Sequence, residues 1–424
     1  MQNLDYNSFA ASADRLEPLP GAPGRWRELG ISLLVGLAMV WYYQWLLLDL
    51  HVVLDVQGHL DYLGLVCRRG YTWPANPGFH WLTWQLAGHN CDEFRLLHVG
   101  TWALGLCWGA TTYLAIWAGQ QLLRSEAATA GESPARRAWT TATVAIVAAL
   151  ASSLVFPPPA NLLAGGSFRY LGLLPPNVYH NSTLVGAMPF AIAALSLGLR
   201  QLRGPRHFGL DALLGLVLAA GALFKPSFAF AFVPAYGICR LLHGRRALGR
   251  HLLGLGLVAG PVLLVIAGQT WWIAKYPEVS IGAKSTFAFS LPAGWKLFMP
   301  WLPAGRALLL ALGSFALPLL AYALRPDWLT KPAHQLLVLS TAFAFIQFML
   351  VHETGERATH GNFTWQVMAA NHWLYWLVVL EALHWRARTK AERIKQTILV
   401  SAIGLSIASG IVYMSQIGLT QTYF

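Results

Sequence analysis

Residues 208–242, FGLDALLGLVLAAGALFKPSFAFAFVPAYGICRLL, decide how the chain is organised, because they form either one long apolar helix or two short ones parted at Lys225 and Pro226. Proline lacks an amide hydrogen and its ring collides with the preceding turn, so a helix reaching Phe224 ends there. At about 1.5 Å per residue, each half is near the minimum of roughly 17 residues that spans a hydrocarbon core. Two crossings put Lys225 in a tight turn at a membrane surface. A single crossing would leave it in hydrocarbon, at about 2.5 to 3.5 kcal/mol.

Outward from that turn the same pattern repeats. Hydrophobic residues make up 56% of the 424 and charged residues only 11%, which excludes an ordinary soluble domain. Apolar runs of spanning length centre on residues 30–50, 97–123, 138–156, 184–199, 208–224, 227–242, 252–270, 305–324, 334–351, 371–385 and 397–416. The fold expected is an all-α polytopic membrane protein of about 11 transmembrane helices. Residues 1–29 read as a cytoplasmic N-terminal segment and residues 30–424 as a single transmembrane domain. The first run is too long for a signal peptide and reads as a retained anchor.

The distribution of charge tests this count, since a wrongly merged run would invert every later loop. Arg15, Arg25 and Arg27 precede the first run, and Arg124, Arg136 and Arg137 follow the second. Arg200, Arg203 and Arg206, then Arg240, Arg245, Arg246 and Arg250, then Arg325 and Lys331 fall at the next even-numbered turns. The last such turn holds Arg386, Arg388, Lys390, Arg393 and Lys395, so two thirds of the 30 Lys and Arg share one side. The +12 net charge is therefore topological; no continuous basic stripe suggests a nucleic-acid partner. The location implied is a bacterial inner membrane, with a cytoplasmic N-terminus and a periplasmic C-terminus.

The long loops, 51–96, 157–183, 271–304 and 352–370, lie on the other side and hold most of the His, Trp, Tyr and acidic residues. In the first, His51, Asp55, His59 and Tyr62 recur at i, i+4, i+8 and i+11, the spacing of one helix face. A partly desolvated carboxylate beside imidazoles suits removal of a proton from an attacking hydroxyl, which makes Asp55 the candidate base and His59 its partner. The alternatives are a divalent cation held by His51, Asp55 and His59, or an interfacial helix with no chemistry. Cysteines 67 and 91 share this loop and are candidates for a disulfide, whereas Cys107 and Cys239 belong inside helices.

DVQGHLDYLGLVCRRGYTWPANPGFHWL, residues 55–82, directly after the first run, resembles the first external loop of the GT-C superfamily of membrane glycosyltransferases. Asp55 matches the family's essential acidic residue there, on a surface helix followed by a Gly/Pro-rich turn. The resemblance covers roughly residues 30–250, the GT-C-like core, with residues 251–424 as variable helices. It implies a sugar donor carried on polyprenyl phosphate and an acceptor glycosylated on the external face. No soluble C-terminal domain is expected, so recognition of the acceptor falls to the loops.

The remaining loops supply candidates for that chemistry. Asn177, Tyr179, His180 and Asn181 cluster before the fourth run, where amides and phenols offer directional bonds to sugar hydroxyls; a helix cap at Asn181 or Ser182 is the plainer alternative. HETGERATHGNFTW, residues 352–365, packs Glu353, Glu356, Arg357, His360 and Asn362 into one turn. Arginine grips phosphate with a planar fork, so Arg357 is the first choice for the donor phosphate, with Lys225 assisting. Tyr62 and the other loop residues named would contact substrate. The reaction expected is inverting transfer of a sugar to a hydroxyl of a glycan, a lipid-linked saccharide or a surface protein such as a pilin. A polysaccharide polymerase or ligase, or a lipid-linked-sugar flippase, are the competing classes; a flippase would need polar residues on both sides of the midplane.

Overall fold

The computed structural model describes residues 25–127, 134–157, 174–177, 179–204, 207–242, 248–276, 287–289, 304–354 and 362–420. Their helices are α1 (Arg25–Gln44, continued by a π-helical turn, Trp45–Asp49), α2 (Asp55–Arg69), α3 (Gly78–Leu86), α4 (Glu93–Ala127) and α5 (Pro134–Ser152). Next come α6 (Ser182–Arg203), α7 (Phe208–Phe224), α8 (Ser227–Leu242), α9 (Leu248–Lys275), α10 (Ala304–Gly313) and α11 (Ala316–Leu324). The chain closes with α12 (Pro332–Leu350), α13 (Thr364–His384) and α14 (Lys390–Thr420).

Six of these helical segments are long and apolar enough to cross a membrane: Trp26–Asp49, Glu93–Arg124, Ser182–Arg203, Leu248–Lys275, Pro332–Leu350 and Lys390–Thr420. Ala138–Ser152, Phe208–Phe224 and Ser227–Leu242 are shorter apolar helices. Exposed Leu33, Leu34 and Leu37 on α1, Leu252, Leu253, Leu263 and Leu264 on α9, and Leu405, Ile411 and Val412 on α14 present faces unsuited to water. The chain is an all-α, membrane-embedded protein.

Lys225 is extended (φ −161°, ψ 122°) between α7 and α8. Asp211 and Arg240 meet in a bidentate pair, with Arg240 Nη2 2.9 Å from Asp211 Oδ2. In one continuous helix those residues would stand roughly 43 Å apart. The chain therefore doubles back at Lys225-Pro226. Arg240, expected among the cytoplasmic loop charges, is instead 1% exposed inside this pair, which Gln201 and Tyr236 also join.

Helix α13 is the axis of the body, its residues buried almost continuously from Thr364 to Ala382. It packs against α5, α8 and α12. Thr364, Gln366, Asn371 and His372 are tolerated on it because protein, not lipid, surrounds them. Helices α1 and α4 approach closely where Gly36 faces Gly105: a Cβ on Gly36 would lie 2.9 Å from the Gly105 carbonyl oxygen.

Two expectations need correction. Residues 305–324 are not one helix but two, interrupted at Ser314 and Phe315; the Ser314 hydroxyl accepts from the Leu174 amide and its carbonyl accepts from Asn371 and Tyr375. The purely helical reading also missed a short antiparallel ribbon, β1 (Phe287–Phe289) with β2 (Val351–Glu353), in register Phe287 with Glu353 and Phe289 with Val351.

Candidate functional site

Four separate segments meet at one end of the bundle. The first is α2, which starts at Asp55 and ends where Gly70 adopts φ +67°, its amide bonded back to the Leu65 carbonyl. Asp55 lies in the first turn, where the helix dipole favours a carboxylate. Val56, Leu60 and Leu63 anchor the opposite face, and the Cys67–Cys91 disulfide ties the far end of α2 to the segment entering α4.

The second segment is the start of α6. Asn181 is its N-cap, with Oδ1 accepting from the Leu184 amide at 2.9 Å and the Thr183 hydroxyl at 3.0 Å. The same oxygen accepts from Lys225 Nζ at 3.1 Å, which brings in the third segment, the α7–α8 turn. With Oδ1 committed to donors, the Asn181 amide nitrogen must face the other way. It donates to Asp55 Oδ2 at 2.9 Å, so one side chain caps a helix and bridges the carboxylate to the lysine. The fourth segment gives Trp365, whose ring centroid lies 4.5 Å from Lys225 Nζ and 5.7 Å from the His180 ring.

His59 also faces Asp55, its Nε2 3.4 Å from Oδ2. The other nitrogen, Nδ1, lies 3.2 Å from Nε2 of His80 on α3. His80 is 1% exposed, and α3 is pressed against α7 so tightly that a Cβ on Gly78 would come within 2.6 Å of the Phe224 ring.

The electrostatics follow this layout. Burial alone would raise the Asp55 pKa, but the hydrogen bond and charge of His59, with the charge of Lys225, bring it down to about 2. Its side chain is nonetheless 39% exposed, so the carboxylate stands in a recess ringed by protein and open to solvent. Burial pushes Lys225 down to about 8, against the raising effects of Asp55 and Glu353. Burial likewise pushes His180 to about 4 and, with the charge of His59, His80 to about 3. At neutral pH the site holds an ionised carboxylate beside a readily deprotonated ammonium and two uncharged imidazoles.

Not every candidate joins this cluster. His51 lies before α2 at φ +54° and is exposed, so the four-residue face reduces to Asp55, His59 and Tyr62. The cause is that α2 begins only at Asp55, which breaks the i, i+4 relation to His51. Tyr62 turns its hydroxyl to the Thr72 carbonyl at 2.8 Å. Asn177 donates to the carbonyls of Ser152 and Val155 and its Oδ1 is 3.0 Å from His372 Nδ1. Tyr179 is buried and donates to the Ser153 carbonyl. Both side chains tie their own segment to the C-terminal end of α5. Glu353 accepts from Asn362. Glu356, Arg357 and His360 lie outside the described residues, and among those described no group of His, Cys, Asp and Glu is placed to hold a metal ion.

Three members of the cluster escaped the sequence. Thr183 lies 3.4 Å from Lys225 Nζ, and its only trace is its place in Asn181-Ser182-Thr183. Trp365 follows directly on the polar loop, which made it one aromatic among 19 Trp. His80 is on a different helix from His59, and no spacing rule connects them. No family model, curated protein or solved structure matches the chain.

Proposed function

We propose that the chain crosses a bacterial inner membrane about eleven times and moves a sugar from a polyprenyl-phosphate donor to an acceptor hydroxyl at the periplasmic face, in the manner of GT-C glycosyltransferases. The observation that carries this reading is the Asp55–Asn181–Lys225 bridge, a base and a cation held side by side at one end of the bundle. The basic groups Arg325, Lys331 and Arg388 belong to the opposite ends of α11, α12 and α13. The Cys67–Cys91 disulfide, on the site's own side, suits an oxidising compartment.

In this mechanism Asp55 uses Oδ1, which has no protein partner among the described residues, to take the acceptor's proton as its oxygen attacks the anomeric carbon. The bond from that carbon to the phosphate oxygen breaks on the opposite side, and the electron pair leaves with the lipid phosphate, inverting the centre. Lys225 bears part of the charge that develops there, and Arg357, by sequence position, adds a second cation. His59 holds Asp55 in its ionised form. Among the described residues no group of His, Cys, Asp and Glu forms a ligand set for a divalent cation.

The test is D55N in proteoliposomes supplied with a polyprenyl-phosphate-linked sugar. The substitution preserves shape and removes the base, so transfer should fall by about 100-fold or more while the protein still inserts and melts normally. Undiminished transfer would overturn the mechanism. Identifying the sugar on the carrier lipid that accumulates in cells lacking the protein names the donor.

A further inference from the structure

Phe224, the last residue of α7, stands directly before Lys225 and joins three helices. Its ring lies over Gly186 on α6, where an added Cβ would come within 2.4 Å of Cδ1, and against Gly78 on α3, where an added Cβ would come within 2.6 Å of Cδ2. The contact with α6 is reciprocal. One turn further from the site, Phe190 of α6 covers Gly221 of α7, where a Cβ would stand 3.0 Å from the Phe190 Cβ, and the two rings lie 5.4 Å apart. Two phenylalanines set onto two glycines in opposite directions fix the register of α7 on α6. The Lys225 backbone is bound to that register by its amide, 2.9 Å from the Gly221 carbonyl. Asn181 and Thr183, which receive its ammonium, lie at the start of α6, within about two turns of Gly186.

We infer that Phe224, seated on Gly186 and Gly78, sets where the Lys225 ammonium stands against Asn181. Phe224 is a positioning residue and acts through Lys225. A lysine stem in water swings freely, but this ammonium is enclosed by Asn181 Oδ1 at 3.1 Å, Thr183 Oγ1 at 3.4 Å and the Trp365 ring at 4.5 Å. It keeps that place only while the end of α7 stays at one height on α6. Glycine inside a helix is otherwise unfavourable, since it loses more backbone freedom on folding than any other residue. At Gly186 the missing Cβ is what admits the ring. Through Gly78 the same ring holds the start of α3, so Lys225 and α3 are set by one side chain.

The effect on catalysis rests on the proposed function, but the placement of Lys225 does not, and this separates the two in experiment. Nitrogen-15 lysine spectra of the full chain in lipid nanodiscs, with the Lys225 Nζ signal assigned by its loss in K225Q, follow its titration. The wild type should titrate near pH 8. G186A drives the ring and the end of α7 outward, and F224L leaves the space over Gly186 unfilled. In both, Lys225 should slip toward solvent and titrate about one pH unit or more higher, nearer the ordinary lysine value of about 10.4. The double variant G186A/F224L trades the lost ring for the added methyl group and should titrate closer to the wild type than either single variant. L214A, which truncates a buried α7 residue far from the turn, should melt earlier and leave the titration unmoved. Donor KM should rise about tenfold in G186A with kcat changed much less, and should fall back in the double variant. F224L removes atoms without a collision, so it decides the matter if G186A fails to insert. A wild-type titration of Lys225 in the inserted single variants, or a double variant no closer to the wild type than they are, would overturn the inference. If the titration moves as expected but the wild type transfers no polyprenyl-linked sugar, the enzymatic reading fails while the positioning stands. If the sugar is transferred and Lys225 does not respond, the reading stands and the inference fails.

Discussion

N181D separates the structural and electrostatic duties of one side chain. Aspartate is as good an N-cap as asparagine, so α6 should keep the bond to the Leu184 amide and most of its stability. The amide that now donates to Asp55 Oδ2 at 2.9 Å, however, becomes a second carboxylate. Two unit charges about 4 Å apart at an effective dielectric near 20 repel by about 4 kcal/mol, equivalent to about three pH units. Solvent reaching the 39% exposed Asp55 side chain screens part of this, so two to three units is the working figure. Asp55 starts at about 2, and the pair should therefore take up a proton near pH 4 to 5. The sign is fixed: a raised carboxylate pKa means that the base is lost as pH falls. Initial transfer rates in proteoliposomes between about pH 4 and 8 should be insensitive to Asp55 titration in the wild type and should acquire an acid limb below about pH 5 in N181D. Carboxyl-stretch infrared spectra would register the same proton without any turnover. A rate profile and an infrared titration that both superimpose on the wild type, in a protein with an unchanged melting temperature, would refute the coupling of Asn181 to Asp55.

Lys225, pushed to about 8, should lose its charge as pH rises through that value, so the donor KM should climb above about pH 8. K225Q should show the high KM at every pH, and a KM flat to pH 10 in the wild type would contradict the assignment. C67S opens a loop of about 24 residues and should destabilise the first loop by roughly 3 kcal/mol, seen as earlier melting and faster proteolysis between α2 and α4. D211N leaves Arg240 buried without its partner and should cost about 3 to 5 kcal/mol, whereas D211L/R240L together should restore much of the loss in a thermal melt. A single cysteine at exposed Gln85 should react with an impermeant thiol reagent in intact spheroplasts and one at exposed Lys390 should not; the reverse pattern would invert the topology.

What was legible in the sequence follows from the range of the interactions involved. Hydrophobic run length and the break at Pro226 act over one or two turns, so the α7–α8 hairpin could be read directly. The Asp55–His59 pair could be read for the same reason, being one helical turn apart. The Asp55–Asn181–Lys225 bridge was only half visible: each residue drew notice in its own loop, but nothing local joins positions separated by 126 and 44 residues. Asn177 and Tyr179 misled because a polar side chain near a helix start looks alike whether it meets a ligand or a backbone carbonyl. Arg240 misled in a related way, since a charge at a helix end reads as solvated until the chain brings Asp211 beside it. His51 was lost to a boundary four residues later than the spacing assumed.

The order in which the bridge is assembled has a consequence for biogenesis. Asp55 leaves the ribosome first, Asn181 and Lys225 follow, and Trp365 comes only with the penultimate helix. During stepwise insertion the carboxylate therefore waits through the synthesis of most of the chain before its full set of neighbours arrives. A nascent chain stalled anywhere before α13 lacks Trp365 and so has an incomplete cage around Lys225.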